Sequence, residues 1–125
     1  MEQETADAGR DSRRHKRFRV REGALAFLGS VPGTITDISQ GGMSVNYVVF
    51  EKYPDQILKL DIFFSEGDFY LPGIPARIIS DVEYPPKAPF SAVQVKRLGI
   101  QFGELTSEQE AGLKYFLIHN TISEA

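Results

Sequence analysis

Residues 34–48 read Thr-Ile-Thr-Asp-Ile-Ser-Gln-Gly-Gly-Met-Ser-Val-Asn-Tyr-Val. Thr34–Ile38 is rich in β-branched residues, which suit a pleated strand. Ser39-Gln40-Gly41-Gly42 then breaks the run as a tight turn. From Met43 the chain alternates, with Met43, Val45 and Tyr47 on one face and Ser44 and Asn46 on the other, the period of a half-buried strand. Two strands joined by a glycine turn set the expectation for the rest: short antiparallel strands.

The flanks agree. Ala24–Leu28 is a compact apolar run, and Pro32-Gly33 reads as the turn after it. Leu58–Phe64 places Leu58, Leu60, Ile62 and Phe64 on one face and Lys59 and Asp61 on the other. Ser65–Asp68 reads as a hairpin turn. A further strand follows the Pro72-Gly73 kink and runs to Glu83, and Pro85–Pro89 reads as a loop. In Ala92–Phe102 the apolar phase slips from Val93 and Val95 to Leu98, Ile100 and Phe102, which predicts a β-bulge near Arg97. The period then changes. Thr106-Ser107-Glu108-Gln109 fits a capping box, and Leu113, Phe116 and Leu117 form an amphipathic helical stripe that stops at Asn120. About six strands and one terminal helix predict a mainly β fold, a small antiparallel barrel closed by a helix.

A chain of 125 residues favours one domain, large enough for a core without staples. No apolar run reaches the roughly 18–20 residues of a membrane span. Met1–Gly9 is polar and acidic rather than a signal peptide, which gives a cytoplasmic expectation. The chain contains no cysteine. His15 and His119 have no metal-ligand companions in the sequence. There is no Walker loop, no Gly-x-Gly-x-x-Gly, no Gly-x-Ser-x-Gly and no paired carboxylate that would assign an acid and a base. The sequence therefore points away from an enzyme.

The net charge of −3 is unevenly spread. Arg10–Arg21 holds seven basic residues against Asp11 alone, a net of +6, which leaves the body after Arg21 at −6. Such a stretch calls for an anionic partner. Within it, Arg13-Arg14-His15-Lys16-Arg17 carries arginines whose planar forks grip phosphates and the O6/N7 edge of guanine. Arg13 and Arg17 on extended chain lie roughly 13 Å apart and point to one side. In the turn, the Asp37 carboxylate can accept from a base edge, Asp37 and Ser39 share one face of the strand end, and Gly41 and Gly42 permit positive φ and close approach of a ligand.

Taken together, these motifs resemble the PilZ family, whose signature is Arg-x-x-x-Arg on an N-terminal arm followed by Asp-x-Ser-x-x-Gly. Arg13–Arg17 with Phe18 matches the first motif. Asp37-Ile38-Ser39-Gln40-Gly41-Gly42 matches the second at each fixed position. Leu98–Phe102 with the helix after it is similar to the family's ending. The resemblance implies a six-stranded antiparallel barrel with a C-terminal α-helix. It also implies binding of cyclic di-GMP, a bacterial second messenger, with no other cofactor. Arg13 and Arg17 would contact guanine edges and phosphates, Arg14 would assist, Asp37 and Ser39 would bond a guanine, and Gly42 with Gly41 would keep the turn open. Many members carry an aromatic residue late in the barrel; this chain has no Trp, and Ser80 takes that place. The expected organisation is a disordered tail over 1–12, the domain over 13–120 with its basic arm at 13–21, and a C-terminal tail at 121–125. The arm would fold over the barrel on binding and signal to a separate protein in motility or exopolysaccharide control, without nucleic acid or membrane insertion. Two alternatives stay open: an interaction module that does not bind nucleotide, and a nucleic-acid-binding barrel. The acidic body, and aromatics spread over strands and helix rather than interleaved with the basic run, count against the latter.

Overall fold

A computed structural model describes residues 15–29, 31–49, 57–83 and 94–125. The expected tail at 1–12, Arg13 and Arg14 of the arm, and the loop at 85–89 lie outside the described residues. The elements are β1 (Phe18–Val20), β2 (Leu25–Leu28), β3 (Val31–Ile38), β4 (Gly42–Val49), β5 (Ile57–Phe64), β6 (Phe69–Glu83), β7 (Gln94–Phe102), α1 (Ser107–His119) and β8 (Thr121–Glu124).

Every pairing is antiparallel. The order β2-β5-β6-β7-β4-β3 returns to β2 through the β2–β3 pairing, so six strands close into a barrel. Closure removes the free edges that an open sheet would expose. β1 and β2 lie end to end along one edge of β3: Leu25–Leu28 pairs with Val31–Thr34, and Phe18–Arg19 pairs with Asp37–Ile38. β8 pairs with the outer edge of β1. The residues expected as a C-terminal tail, 121–125, therefore include a strand. It escapes a local reading because its partner lies about a hundred positions away.

The inward faces follow the sequence pattern. Met43, Val45 and Tyr47 are buried, as are Leu60, Ile62 and Phe64, with Leu98 and Ile100 opposite. Each such side chain contributes roughly 1.5–3 kcal/mol through removal from water. Helix α1 closes the barrel. Its Phe116 is fully buried, with ring centroids 5.0 Å from Phe69 and 6.5 Å from Phe64. The capping box forms as expected: the Thr106 hydroxyl accepts from the Gln109 N–H at 3.1 Å, and the Thr106 N–H donates to Gln109 Oε1 at 3.0 Å. Asn120 is the C-cap.

Three punctuation marks in the sequence have other meanings. Pro32-Gly33 lies inside β3 rather than in a turn. Gly33 is needed because a Cβ there would stand 2.3 Å from a Val45 methyl carbon. Pro72-Gly73 does not precede a strand but lies within β6, which begins at Phe69. Opposite Asp61 the pair forms a bulge, with Gly73 at φ 71° and its N–H donating to Asp61 Oδ1 at 2.9 Å. The bulge expected near Arg97 is absent from β7, which keeps an unbroken register with β4. The extra residue is Ile79 on the neighbouring β6, between the pairs Ile78–Ile100 and Ser80–Gly99.

Replacing Phe116 by Ala should cost about 3–5 kcal/mol, because the void is ringed by other core side chains. Thr106→Ala should cost about 1 kcal/mol through the lost cap. Urea denaturation of both variants measures the two losses, and equal losses would contradict the assignment of Phe116 as the main tie between helix and barrel.

Candidate ligand-binding site

The site begins with a fault in a strand. Ile35 and Ile38 are both buried although they are three residues apart. Strict alternation from Ile35 would turn Asp37 into the core and Ile38 out of it. The ladder instead passes from the pair Ile35–Val45 to the pair Asp37–Ser44, leaving Thr36 as an extra residue. This bulge points Asp37 outward, beside Ser44. Thr36 donates its hydroxyl to the Ser44 carbonyl at 3.2 Å, which braces the bulge.

Arg17 arrives at the same place from the N-terminal side. β1 pairs Phe18 with Ile38, so the residue just before it falls next to Asp37. Arg17 Nη1 donates to Asp37 Oδ1 at 2.6 Å and to Ser44 Oγ at 3.1 Å. The two charged side chains are 18% and 24% exposed, so the ion pair sits at the rim of the protein rather than inside it. Arg17 Nε is buried and meets no acceptor among the described residues. One donor of the guanidinium is therefore unspent.

The turn after β3 is self-contained. Ser39 is buried, and its hydroxyl accepts from the N–H groups of Gly41 at 3.1 Å and Gly42 at 3.2 Å while donating to the Gly42 carbonyl at 3.4 Å. The Ser39 hydroxyl is thus committed to the turn, whereas Asp37 is open. Neither Gly41 nor Gly42 has positive φ; the expected left-handed turn is not how they serve. Both are places of close approach. A Cβ on Gly42 would lie 2.1 Å from the Ile100 carbonyl oxygen, and a Cβ on Gly41 would lie 3.0 Å from His15 Cδ2. Gly42 lets β7 pack against the turn, and Gly41 lets the His15 ring of the arm rest on it.

Beyond Asp37 the outer surface carries small residues, with the exposed Ile79 beside them. In register across neighbouring strands stand Asp37, Ser44, Gly99 and Ser80. At about 4.8 Å per strand this row spans roughly 14 Å. Next to it, Arg97 Nε donates to Asn46 Oδ1 at 3.4 Å. Ser44 and Gly99 are the members that the motifs did not reveal. For Ser44, the sequence signal is the three-residue spacing of Ile35 and Ile38, which marks the bulge that brings it beside Asp37.

The sequence matches the PilZ domain family over residues 11–119. The chain belongs to that family. Its PilZ fold is shared with the PilZ domain of YcgR from Escherichia coli, solved with c-di-GMP, at a TM-score of 0.64 and 16% identity over 86% of this chain and 90% of that one. It is similar as well to MrkH, described as a c-di-GMP-dependent transcription regulatory factor, at a TM-score of 0.62 and 17% identity over 85% of this chain. A K. pneumonia MrkH–c-di-GMP complex gives 0.64 and 17% over 86%. The chain spans about half of MrkH, 49% and 51% in the two structures. At these identities the likeness is one of fold. No protein with a curated description matches the sequence.

Ser39→Ala should destabilise this PilZ domain by about 1–3 kcal/mol, since the buried Gly42 N–H and the part-buried Gly41 N–H lose their acceptor. Gln40→Ala, one residue on and exposed, should stay within about 0.5 kcal/mol of the parent. Equal midpoints for Ser39→Ala and the parent in a urea titration would contradict the structural role of the Ser39 hydroxyl.

Proposed function

We propose that this PilZ domain is a cytoplasmic receptor for cyclic di-GMP rather than an enzyme. One observation carries the reading: Arg17 from the basic segment and Asp37 from the turn, twenty residues apart, meet at a partly exposed hydrogen-bonded ion pair at the end of a row of small outward residues.

The ligand offers two phosphates and two guanines. Arginine recognises both, as a phosphate clamp and as a fork on the guanine O6/N7 edge. A carboxylate accepts from the N–H groups of the opposite guanine edge. Asp37 therefore supplies the acceptor, and Arg13, Arg14 and Arg17 supply the donors. Ser39, Gly41 and Gly42 form the wall of the site, holding the turn so that Asp37 faces out. In the unliganded protein Asp37 stands in for the ligand as the partner of Arg17. Binding exchanges that carboxylate for a phosphate or a guanine edge, and the unspent Arg17 Nε gains an acceptor.

The arm is shorter than the sequence suggests. Phe18–Val20 is already a strand, held by β3 on one side and β8 on the other. Rearrangement on binding belongs to the segment before Phe18, with Arg17 at its hinge. A separate effector protein then reads that change. The chain's relatives in solved structures were captured with c-di-GMP, which supports the same ligand class here.

Arg17→Ala and Asp37→Ala should each weaken cyclic di-GMP binding at least tenfold, about 1.4 kcal/mol. Calorimetric titration measures this, with GTP and cyclic GMP as controls. Parent-like affinity in both variants would remove the pair from the site, and an absence of cyclic di-GMP binding by the parent would return the domain to an interaction module without nucleotide.

A further inference from the structure

A groove of about 480 Å³ runs between the arm and the last turns of α1. Phe18 and Leu117, both half-buried, and Ile118 give it an apolar lining. Ile118 is 74% exposed, and Ile122, just past the helix on β8, is 65% exposed. An isoleucine left this open on the lining of a concave apolar surface, with a second exposed four residues on, marks a place for another apolar group.

The charge around the groove identifies its occupant. Lys16 and Lys114 both line it. Among the described residues, Lys16 makes a long, exposed contact of 3.9 Å to Glu124 and no other ion pair, and Lys114 makes none. An adjoining hollow of about 250 Å³ shares Lys114 and His15 with the groove and adds one carboxylate, Glu110. After Arg21 the chain carries a net −6, so a carboxylate-bearing partner is repelled from most of the body and drawn to this edge. A concave slot flanked by two ammonium groups fits a protein segment with a large apolar anchor between acidic residues better than it fits a bilayer.

We propose that this groove is the docking site for such an acidic, apolar-anchored segment of a separate protein. One of its walls is the ligand-binding arm. Lys16 and Phe18 flank Arg17, whose side chain is tied to Asp37 and whose carbonyl accepts from the Ala125 N–H at 2.8 Å. A ligand that draws Arg17 from Asp37 moves that wall, so the docking affinity reports the state of the site. The ligand dependence rests on the receptor reading; the groove does not.

The test uses random twelve-residue peptides displayed against the full chain, with and without saturating cyclic di-GMP. The expected result is a convergent set pairing a large apolar residue with two or more Asp or Glu. A synthetic peptide from that set should lose at least tenfold in affinity, by fluorescence anisotropy, against Ile118→Glu and against Lys114→Glu, while both variants keep parental cyclic di-GMP binding. Its affinity for the parent should differ at least threefold between ligand-free and ligand-saturated protein. No convergent set, peptides without acidic residues, or indifference to both substitutions would overturn the groove assignment. So would co-sedimentation with phosphatidylglycerol vesicles that depends on Ile118 while the peptides do not bind. Peptide binding that ignores bound cyclic di-GMP would overturn the coupling. A parent that docks the peptide but binds no cyclic di-GMP would overturn the receptor reading and leave the groove in place.

Discussion

Thr36 is one residue more than the β3–β4 ladder can pair, and the chemistry of the outer surface depends on it. A strand has two faces, and a regular strand gives each residue no choice between them. With Ile35 inside, Asp37 would follow it into the core, where an ionised carboxylate costs several kcal/mol unless it is paired. The bulge shifts the phase once. Ile38 takes the core position, Asp37 comes out beside Ser44, and the β1 pairing then places Arg17 against it. Bulges re-aim side chains at the rims of barrels. Here the re-aimed residue is the carboxylate that pairs with Arg17 of the basic segment.

The location of the Arg17–Asp37 pair sets what it can do. Breaking a fully buried pair costs roughly 3–5 kcal/mol, too much for most ligands to displace without a conformational change elsewhere. A fully exposed pair is worth about 0–1 kcal/mol and holds nothing in place. At 18% and 24% exposure this pair falls between the two limits. It holds Arg17 against the barrel while part of each charged side chain stays exposed. The bond from Arg17 to Ser44 gives the guanidinium a second, uncharged anchor.

Much of this was legible in the sequence. The apolar periods of β4 and β5, the capping box at Thr106, the helical stripe of Leu113 and Phe116, and the order of the two motifs all express local rules. What local rules could not reach depends on distant neighbours. Gly33 reads as punctuation until Val45 is known to lie against it. Gly73 marks a bulge whose partner, Asp61, is on another strand. The phase slip of Val95 and Leu98 looks like a bulge in β7, yet the extra residue is Ile79 on the strand beside it. Ser39 and Asp37 look equivalent, two residues apart on one face, until the turn consumes the Ser39 hydroxyl. The Ile35–Ile38 spacing was the one local clue to the bulge at Thr36.

The termini complete the argument. β1 is only three residues long, and β8 only four. Neither forms part of the closed barrel, and each depends on the other. β1 pairs with β3 by two residues and with β8 by three, and among the described residues β8 has no other strand beside it. A weakly held ribbon of this kind is where low-energy opening is expected, since few apolar side chains would be exposed by it. Of its seven residues only Val20 is deeply buried. The ribbon begins one residue after Arg17 and continues from the end of α1 at its close. The stretch that joins the Arg17–Asp37 pair to the end of α1 thus lies outside the closed ladder of the barrel.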